Sequence, residues 1–451
     1  MIAARGAGRF AAIHRSLTAL KPEDTRFERV LLALTLPVFV LISHRSIGSL
    51  PYQVFWAFAY GASLLGVLAS PYRHELVRRS LPLVAFVALM VLSTAWSTAP
   101  KVTLLQSVRL FGTTAIAYYL VTRFTLREFV ELFGMAMAAL LASSVLFVGV
   151  GVECHNSVPD AYGMAGWCGV FAHKNALGGG MVLGIVTLAL MWFSSRGMAR
   201  WAVAATLAGC IGLLAGSRSA TSIVSCGIVL ACLALMRLWY LRKNGRALIL
   251  GGGALLAVGL GCAFVFGADF DSFFEAFGRD SSLTGRLDFW PNLVEAIRSR
   301  PWLGFGYNAF FAYGPDSPGD YFLAEYHMNS RWYPPIAHNG LLQVALDVGL
   351  AGVVLLGASV LAAVRGAFAL IARHRHDSFY MWPALILLYF GIVNCTESDI
   401  AQYNEIFWVV FVAALLYATV PRVRERVATA PAPGAPVPPP FARRDVDRVE
   451  P

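Results

Sequence analysis

Apolar residues run through this chain in long blocks that short polar turns separate. Roughly 20 apolar residues suffice for a helix to cross the hydrocarbon core of a bilayer, and blocks of about this length recur along most of the sequence. The pattern predicts an all-α polytopic membrane protein with about twelve transmembrane helices. The predicted spans are Val30–Ser43, Val54–Ala69, Leu81–Trp96, Leu104–Val121, Leu132–Val150, Ala176–Phe193, Trp201–Ala215, Thr221–Met236, Ala247–Phe266, Gly340–Val364, Tyr380–Val393 and Ile406–Val420.

The basic residues of the turns indicate how the chain is oriented. Cytoplasmic loops retain Lys and Arg, and most of the 36 such residues lie in alternate turns on the same side as the N-terminus. Both termini are therefore predicted to lie in the cytoplasm, with the chain in a bacterial inner membrane and the other turns in the periplasm. Residues 1–28 contain no apolar stretch typical of a cleaved signal peptide, so the first helix of the membrane domain, residues 29–420, is the predicted targeting element. The proline-rich residues 421–451 are predicted to be a disordered cytoplasmic tail.

Composition excludes a water-soluble domain, because 57% of the residues are hydrophobic and only 14% are charged. The net charge of +10 follows from the topology and adds attraction to anionic lipids. It is weak evidence for nucleic acid, and no nucleic-acid partner is predicted.

Two external segments are much longer than the other turns. The first, Gly151–Lys174, contains Cys154 and Cys168, which are a disulfide candidate if the compartment is oxidising. The second is a large periplasmic loop of residues 267–338 before the tenth helix, and long polar loops usually carry function. Inside it, the apolar periodicity of Pro291–Ile297 predicts a surface helix with Arg286 near its start, and the closely spaced glycines of Pro301–Phe310 predict a tight turn.

A stripe of polar residues begins where the large loop ends. His338 immediately precedes the tenth helix, and Asn339, Gln343 and Asp347 follow at four-residue spacing, which places them on one helix face. Polar residues at membrane depth usually face a bundle interior or a wet cavity. The stripe is either a functional site or a ladder of helix-packing hydrogen bonds.

Positive charge also collects on the external face, where the topology rule disfavours it. Guanidinium groups suit a pyrophosphate and histidine suits proton transfer near neutral pH. Arg286 either serves in this way or pairs with Asp288, and Arg109, inside the fourth span, needs either an anionic lipid headgroup or the acids Glu397 and Asp399. Acid pairs with no third ligand nearby argue against a metal site, and metal-free chemistry is predicted. The external basic residues are Arg109, His173, Lys174, Arg218, Arg286, Arg331 and His338.

Four sequence motifs resemble the O-antigen ligase and polymerase superfamily of bacterial membrane glycosyltransferases, and most closely its exopolysaccharide-polymerase branch. Their order along the chain and their placement on the membrane carry the resemblance, which extends from about the second span to the twelfth. The motifs are Gly169–Gly178 with its His-Lys-Asn, Gly216–Ser219, Leu283–Arg286 with Trp290 and Gly304–Gly306, and His338–Gly340 with Asp347 and Gly349.

The resemblance implies a GT-C-like helical enzyme that acts on glycans linked to undecaprenyl pyrophosphate and needs no cofactor. It implies that Arg218 and Arg286 hold the pyrophosphate and that His338 activates the acceptor hydroxyl, so these three are the predicted catalytic residues. A lipid-linked oligosaccharide donor, a glycan acceptor, membrane lipids, a flippase and a chain-length regulator are the expected partners. The predicted substrate-binding residues are Arg109, His173, Lys174, Asn339, Asp347, Arg331 and Glu397.

Two other functions remain open from the sequence. An O-antigen ligase would transfer the finished glycan to lipid A-core or to another acceptor, and the motifs do not separate a ligase from a polymerase. A lipid-glycan flippase also has about twelve helices, but such transporters usually place charges near the midplane and show repeated halves. The external charges and the single long loop favour an enzyme.

Overall fold

The apolar blocks fold into helices, and no strand occurs among the residues that this computed structural model describes, namely 25–45, 49–152, 166–242, 286–312, 336–374 and 377–420. Within them, the side chains of residues 25–28, 31, 42–45, 239–242 and 286–289 are not described. The helices in chain order are α1 Thr25–Arg45, α2 Leu50–Ala69, α3 Arg73–Arg79, α4 Leu81–Leu92, α5 Pro100–Arg123, α6 Leu126–Gly149, α7 Lys174–Ser194, α8 Gly197–Ser217, α9 Ala220–Arg242, α10 Arg286–Ser299, α11 Gly340–Arg373, α12 Trp382–Val393 and α13 Ile406–Thr419.

Six of the described helices are long and apolar enough to cross a membrane, and there are seven if the bent pair of α3 and α4 forms one span. Shorter apolar helices cover Leu32–Leu41, Ser378–Val393 and Ile406–Thr419. A helix overlaps every predicted span whose residues are described, whereas the predicted ninth span, Ala247–Phe266, lies outside them. The chain is therefore a multi-pass membrane protein whose described residues form helices and connecting turns without strands. The total of about twelve spans remains a prediction.

Helices α7 and α13 lie in the middle of the bundle. α13 is buried along nearly its whole length and packs against α5, α11 and α12. Glycines let α7 approach its neighbours closely: a methyl group on Gly179 would lie 2.7 Å from the Tyr389 hydroxyl. Outer helices instead expose large apolar side chains such as Phe58 and Met198, which suits contact with lipid.

Helix α11 is broken near its N-terminal end, where Val348 and Gly349 have non-helical backbone angles. A break leaves backbone groups without their helical partners, and such groups are costly inside a membrane unless protein satisfies them. The turn at residues 301–306 does so: Phe305 N–H donates to Leu346 O at 2.8 Å, and Leu350 N–H donates to Pro301 O at 2.8 Å. The large loop is thereby joined to the helix that begins after His338, and the predicted tight turn of Pro301–Phe310 is confirmed.

The break depends on Gly349, so Gly349→Ala is expected to destabilise the protein by about 2 to 4 kcal/mol. Its φ is +66° with ψ −166°, and a methyl group there would overlap the backbone of Trp302. Gly357→Ala in the same helix is the matched control, because a methyl group at that position would meet nothing within 4 Å beyond its chain neighbours and the nearby backbone of its own helix. Thermal unfolding in detergent measures both variants. Equal melting temperatures would contradict a glycine requirement at the break.

Candidate active site

The start of α7 contributes the first polar residues of the site. His173 caps the helix, and its Nδ1 accepts a hydrogen bond from Asn175 N–H at 3.2 Å. Lys174 lies half-buried beside Gly166, where a methyl group would lie 3.0 Å from Lys174 Cδ. Asn175 Nδ2 donates to Glu397 Oε1 at 2.8 Å. The helix start is thus connected to a segment more than two hundred residues later in the chain.

Arg218 lies in the sharp turn between α8 and α9. It ends α8 in the left-handed conformation, with φ +53° and ψ +29°, which is uncommon for a residue other than glycine. The segment of Gly166 and Trp167 lies directly on this turn: Trp167 N–H donates to Gly216 O at 2.9 Å. A methyl group on Gly216 would overlap the Trp167 ring. This close packing of Gly166 and Trp167 against the turn fixes the backbone conformation of Arg218.

Cys168 follows Trp167 in the segment that covers this turn, and it is disulfide-bonded. The other described cysteines, Cys210, Cys226, Cys232 and Cys395, are free. Cys154 lies outside the described residues, and its pairing with Cys168 remains a prediction.

His338 lies where the large loop meets α11. Its φ is +50°, so His338 has a left-handed backbone, as Arg218 does. Its side chain is 17% exposed, and Nδ1 lies 3.4 Å from Glu397 Oε2, whose side chain is 13% exposed. A carboxylate beside Nδ1 favours a proton on that nitrogen, which leaves Nε2 as the acceptor. Strained backbone at such positions is a recognised feature of active sites.

The segment 394–399 holds Glu397 against His338. Asn339 N–H donates to Ser398 Oγ at 3.0 Å, and its Nδ2 donates to Cys395 O at 3.2 Å. Asn339 also caps α11 by accepting from the N–H groups of Leu341 and Leu342. Hydrogen bonds on both sides of Glu397 therefore fix its position relative to the histidine. We call His338, Asn339, Asn175, Glu397 and Ser398 the His338 cluster.

The His338 cluster and the Arg218 turn are neighbours. Thr396, next to Glu397, lies with its hydroxyl 3.4 Å from the hydroxyl of Thr221 in the first turn of α9. The α10 helix approaches from the other side, because Trp290 Nε1 donates to Ala337 O at 3.1 Å, directly before His338. Three regions far apart in sequence thus meet at one end of the bundle.

Arg286 is the first residue of α10, which agrees with its predicted position near a helix start. Its side chain is not among those that the structure describes. Arg331 lies outside the described residues. Asp347 is 1% exposed, and its Oδ1 accepts from Gln343 Nε2 at 3.2 Å and from Asn308 N–H at 2.9 Å. These hydrogen bonds agree with one of the two interpretations of the polar stripe, a ladder of helix-packing hydrogen bonds. A role for Asp347 in binding substrate remains a prediction.

Arg109 lies in α5, where its guanidinium is 5.5 Å from the Tyr403 ring centre and 5.9 Å from that of Tyr52. No salt bridge joins it to Glu397 or Asp399 in the described part of the chain. The aromatic contacts were not predicted, because the sequence offered only an anionic lipid headgroup or the acids Glu397 and Asp399 as partners for this cation. Tyr403 lies only six residues after Glu397, and this nearness is the signal that could have suggested it.

Asp399 adds a proton-binding group beside Glu397. Burial, and then the like charges of Glu397 and Glu405, raise the pKa of Asp399 to about 8. Asp399 N–H donates to Asn394 Oδ1 at 3.0 Å, which holds the residue in place.

The raised pKa of Asp399 predicts a stability that falls with rising pH. The unfolded carboxyl ionises near 3.8 and the folded one near 8, so between these values the folded state binds the extra proton and loses stability as pH rises. Asp399→Asn is expected to flatten this dependence, measured as melting temperature between about pH 5 and about pH 8. Glu295→Gln, which removes a highly exposed carboxylate, is the control. Parallel slopes for wild type and Asp399→Asn would contradict the shift.

The described residues contain no group of three or more His, Cys, Asp or Glu side chains placed to hold a metal ion. The metal-free mechanism remains a prediction.

Comparisons with known proteins agree with the motifs in the sequence. Residues 202–357 match the family model described as O-antigen ligase, a region that includes Arg218, Arg286 and His338. The chain is 28% identical over 422 residues to the exopolysaccharide production protein ExoQ of Rhizobium meliloti strain 1021, and the match covers 91% of this chain and 92% of that protein. The predicted resemblance to the O-antigen ligase and polymerase superfamily, and to its exopolysaccharide branch, is therefore confirmed as a similarity.

Proposed function

We propose that this chain is a glycosyltransferase that joins glycan repeat units linked to undecaprenyl pyrophosphate at the periplasmic face of the inner membrane, in exopolysaccharide or O-antigen synthesis. One observation carries the proposal. A half-buried histidine with a carboxylate at Nδ1 lies at the same end of the bundle as the Arg218 turn. Similarity to a protein of exopolysaccharide production supports the choice of substrate class.

In the proposed reaction His338 acts as the general base. Nε2 takes the proton from an acceptor hydroxyl as the oxygen attacks the anomeric carbon of the donor sugar. The new glycosidic C–O bond forms while the bond from that carbon to the pyrophosphate oxygen breaks. Glu397, held by Asn175, stabilises the imidazolium that results and keeps the ring in the required orientation.

The departing pyrophosphate carries the charge that must be stabilised. Arg218 and Arg286 supply guanidinium groups, which bind phosphate through two parallel hydrogen bonds. Because the lipid-linked donor is already activated, the reaction needs no nucleotide or other cofactor. The strained backbone of Arg218 supports a functional position for this side chain.

An O-antigen ligase is the second candidate, because the matching family model bears that description. The same base and cations would then transfer a finished glycan to lipid A-core or another acceptor. A flippase that delivers substrate and a chain-length regulator are the proposed protein partners of either activity.

The lipid-linked glycans of a deletion strain distinguish the candidates. A polymerase deletion is expected to accumulate single repeat units on undecaprenyl pyrophosphate at the periplasmic face. A ligase deletion would instead accumulate long lipid-linked chains that are not transferred. Single units confined to the cytoplasmic face would contradict both and indicate a transporter.

A further inference from the structure

A second cation lies on the external end of the bundle, apart from the His338 cluster. Arg109 lies nine residues into α5, or about 13 Å along the helix axis from its start. A charge at such a depth in a membrane protein is costly and generally serves a function. In the described part of the chain no carboxylate forms a salt bridge with it. Its charge is therefore available to an anion.

The side chain reaches towards the external surface. Tyr52, whose ring lies 5.9 Å from the guanidinium, is only the third residue of α2. Tyr403, 5.5 Å away on another side, belongs to the loop between α12 and α13 that also contains Glu397. Both aromatic contacts therefore place the guanidinium at the end of the bundle where the His338 cluster lies.

Hydrogen bonds that do not involve Arg109 hold Tyr52 and Asn404, the neighbour of Tyr403, in place. Asn404 Nδ2 donates to the Tyr52 hydroxyl at 2.7 Å, and Asn404 N–H donates to Thr113 Oγ1 at 2.9 Å. The Tyr60 hydroxyl donates to Asn404 Oδ1, and Asn404 itself has φ +61°. Arg109 also makes a side-chain hydrogen bond with Tyr403, and a guanidinium has five N–H donors, so others remain for a planar or tetrahedral anion. The arrangement is thus a preformed site for a phosphate group.

The two cationic positions are close enough to serve one reaction. Tyr403 follows Glu397 by six residues, which span at most about 20 Å even if fully extended. Chain growth by the proposed function joins two glycans that are each attached to a lipid pyrophosphate. A polymerase therefore needs a place for two lipid phosphates on the same face.

We propose that Arg109, with Tyr52 and Tyr403, binds the phosphate of the second lipid-linked substrate, the acceptor, while Arg218 and Arg286 hold that of the donor. This inference rests on the proposed function. It assigns the two lipid carriers to separate cations, one beside the histidine and one between α2, α5 and the loop after α12.

Native mass spectrometry of the purified full-length protein with undecaprenyl pyrophosphate tests the assignment by counting bound lipids. Wild type is expected to bind two copies, Arg109→Gln one, Arg218→Gln one and the double variant none. Lys101→Gln, which removes an exposed charge from the start of the same helix, is the matched control and should bind two. If Arg109→Gln does not fold, Arg109→Lys should bind the second copy about 10- to 100-fold more weakly.

Competition with phosphatidylglycerol identifies the source of the phosphate. The second copy should remain when phosphatidylglycerol is added at equal concentration, whereas its displacement would indicate a general headgroup site and overturn the acceptor assignment. Two copies on Arg109→Gln, or one copy on wild type, would overturn it as well. Two copies on Arg218→Gln together with one on Arg109→Gln would remove Arg218 from the proposed mechanism and leave the Arg109 site intact.

Discussion

Replacing His338 by alanine is expected to lower the rate of glycan transfer by about 10²- to 10⁴-fold, because general-base catalysis typically contributes that much. The residue lies at the end of the large loop, with Nδ1 beside Glu397 and a backbone strained to φ +50°. Expression, membrane insertion and donor binding should be nearly unchanged. The measurement is turnover of purified protein with a lipid-linked donor across pH. Turnover near the wild-type rate, or loss of donor binding together with activity, would make His338 a structural residue.

A substitution of Glu397 tests whether this carboxylate assists His338 as the base. Glu397→Gln keeps a polar side chain beside Nδ1 and beside Asn175 but removes the charge that stabilises imidazolium. Turnover should fall, because the imidazolium that forms when His338 takes the proton loses its counter-charge. Glu295→Gln makes the same chemical change at a highly exposed position of α10 and should keep wild-type turnover. Wild-type turnover in Glu397→Gln would exclude the carboxylate as the partner of the base.

Replacing Arg218 or Arg286 by lysine is expected to lower the rate of transfer by roughly 10- to 1000-fold while the protein still inserts. Lysine keeps the positive charge but loses the planar fork that binds a phosphate through two hydrogen bonds. The loss should appear mainly in kcat, since the leaving group gains charge in the transition state. The measurement is steady-state turnover of each variant with the lipid-linked donor.

Arg298→Lys is the matched control for Arg286→Lys. Arg298 lies in the same helix, is 74% exposed and pairs with Glu295, so its replacement should leave turnover unchanged. Wild-type turnover in both Arg218→Lys and Arg286→Lys would return these residues to structural or topological roles. A loss that appears in only one of them would locate the pyrophosphate at that residue.

The sequence alone determined the membrane class, the positions of most helices and the residues worth testing. These features are local: the hydropathy of a block fixes whether it enters the bilayer, and Asn339 at the end of a polar loop is a strong helix cap. The start of α10 at Arg286 and the tight turn near Gly304 were also readable from nearby residues. The resemblance to a known superfamily rested on the same short motifs and was confirmed by comparison.

Only the tertiary structure decided which of these residues meet. His338 and Glu397 are 59 positions apart, and they meet because α11 packs against the segment after α12. No local sequence pattern encodes this packing. The structure also placed Arg109 on tyrosine rings instead of on the acids that the sequence offered. The predicted continuous tenth helix is broken at Gly349, because the backbone of a distant turn supplies the hydrogen bonds that the break gives up. Non-local packing thus fixed the partners of each charged group, while hydropathy and capping fixed only where each group lies along its own helix.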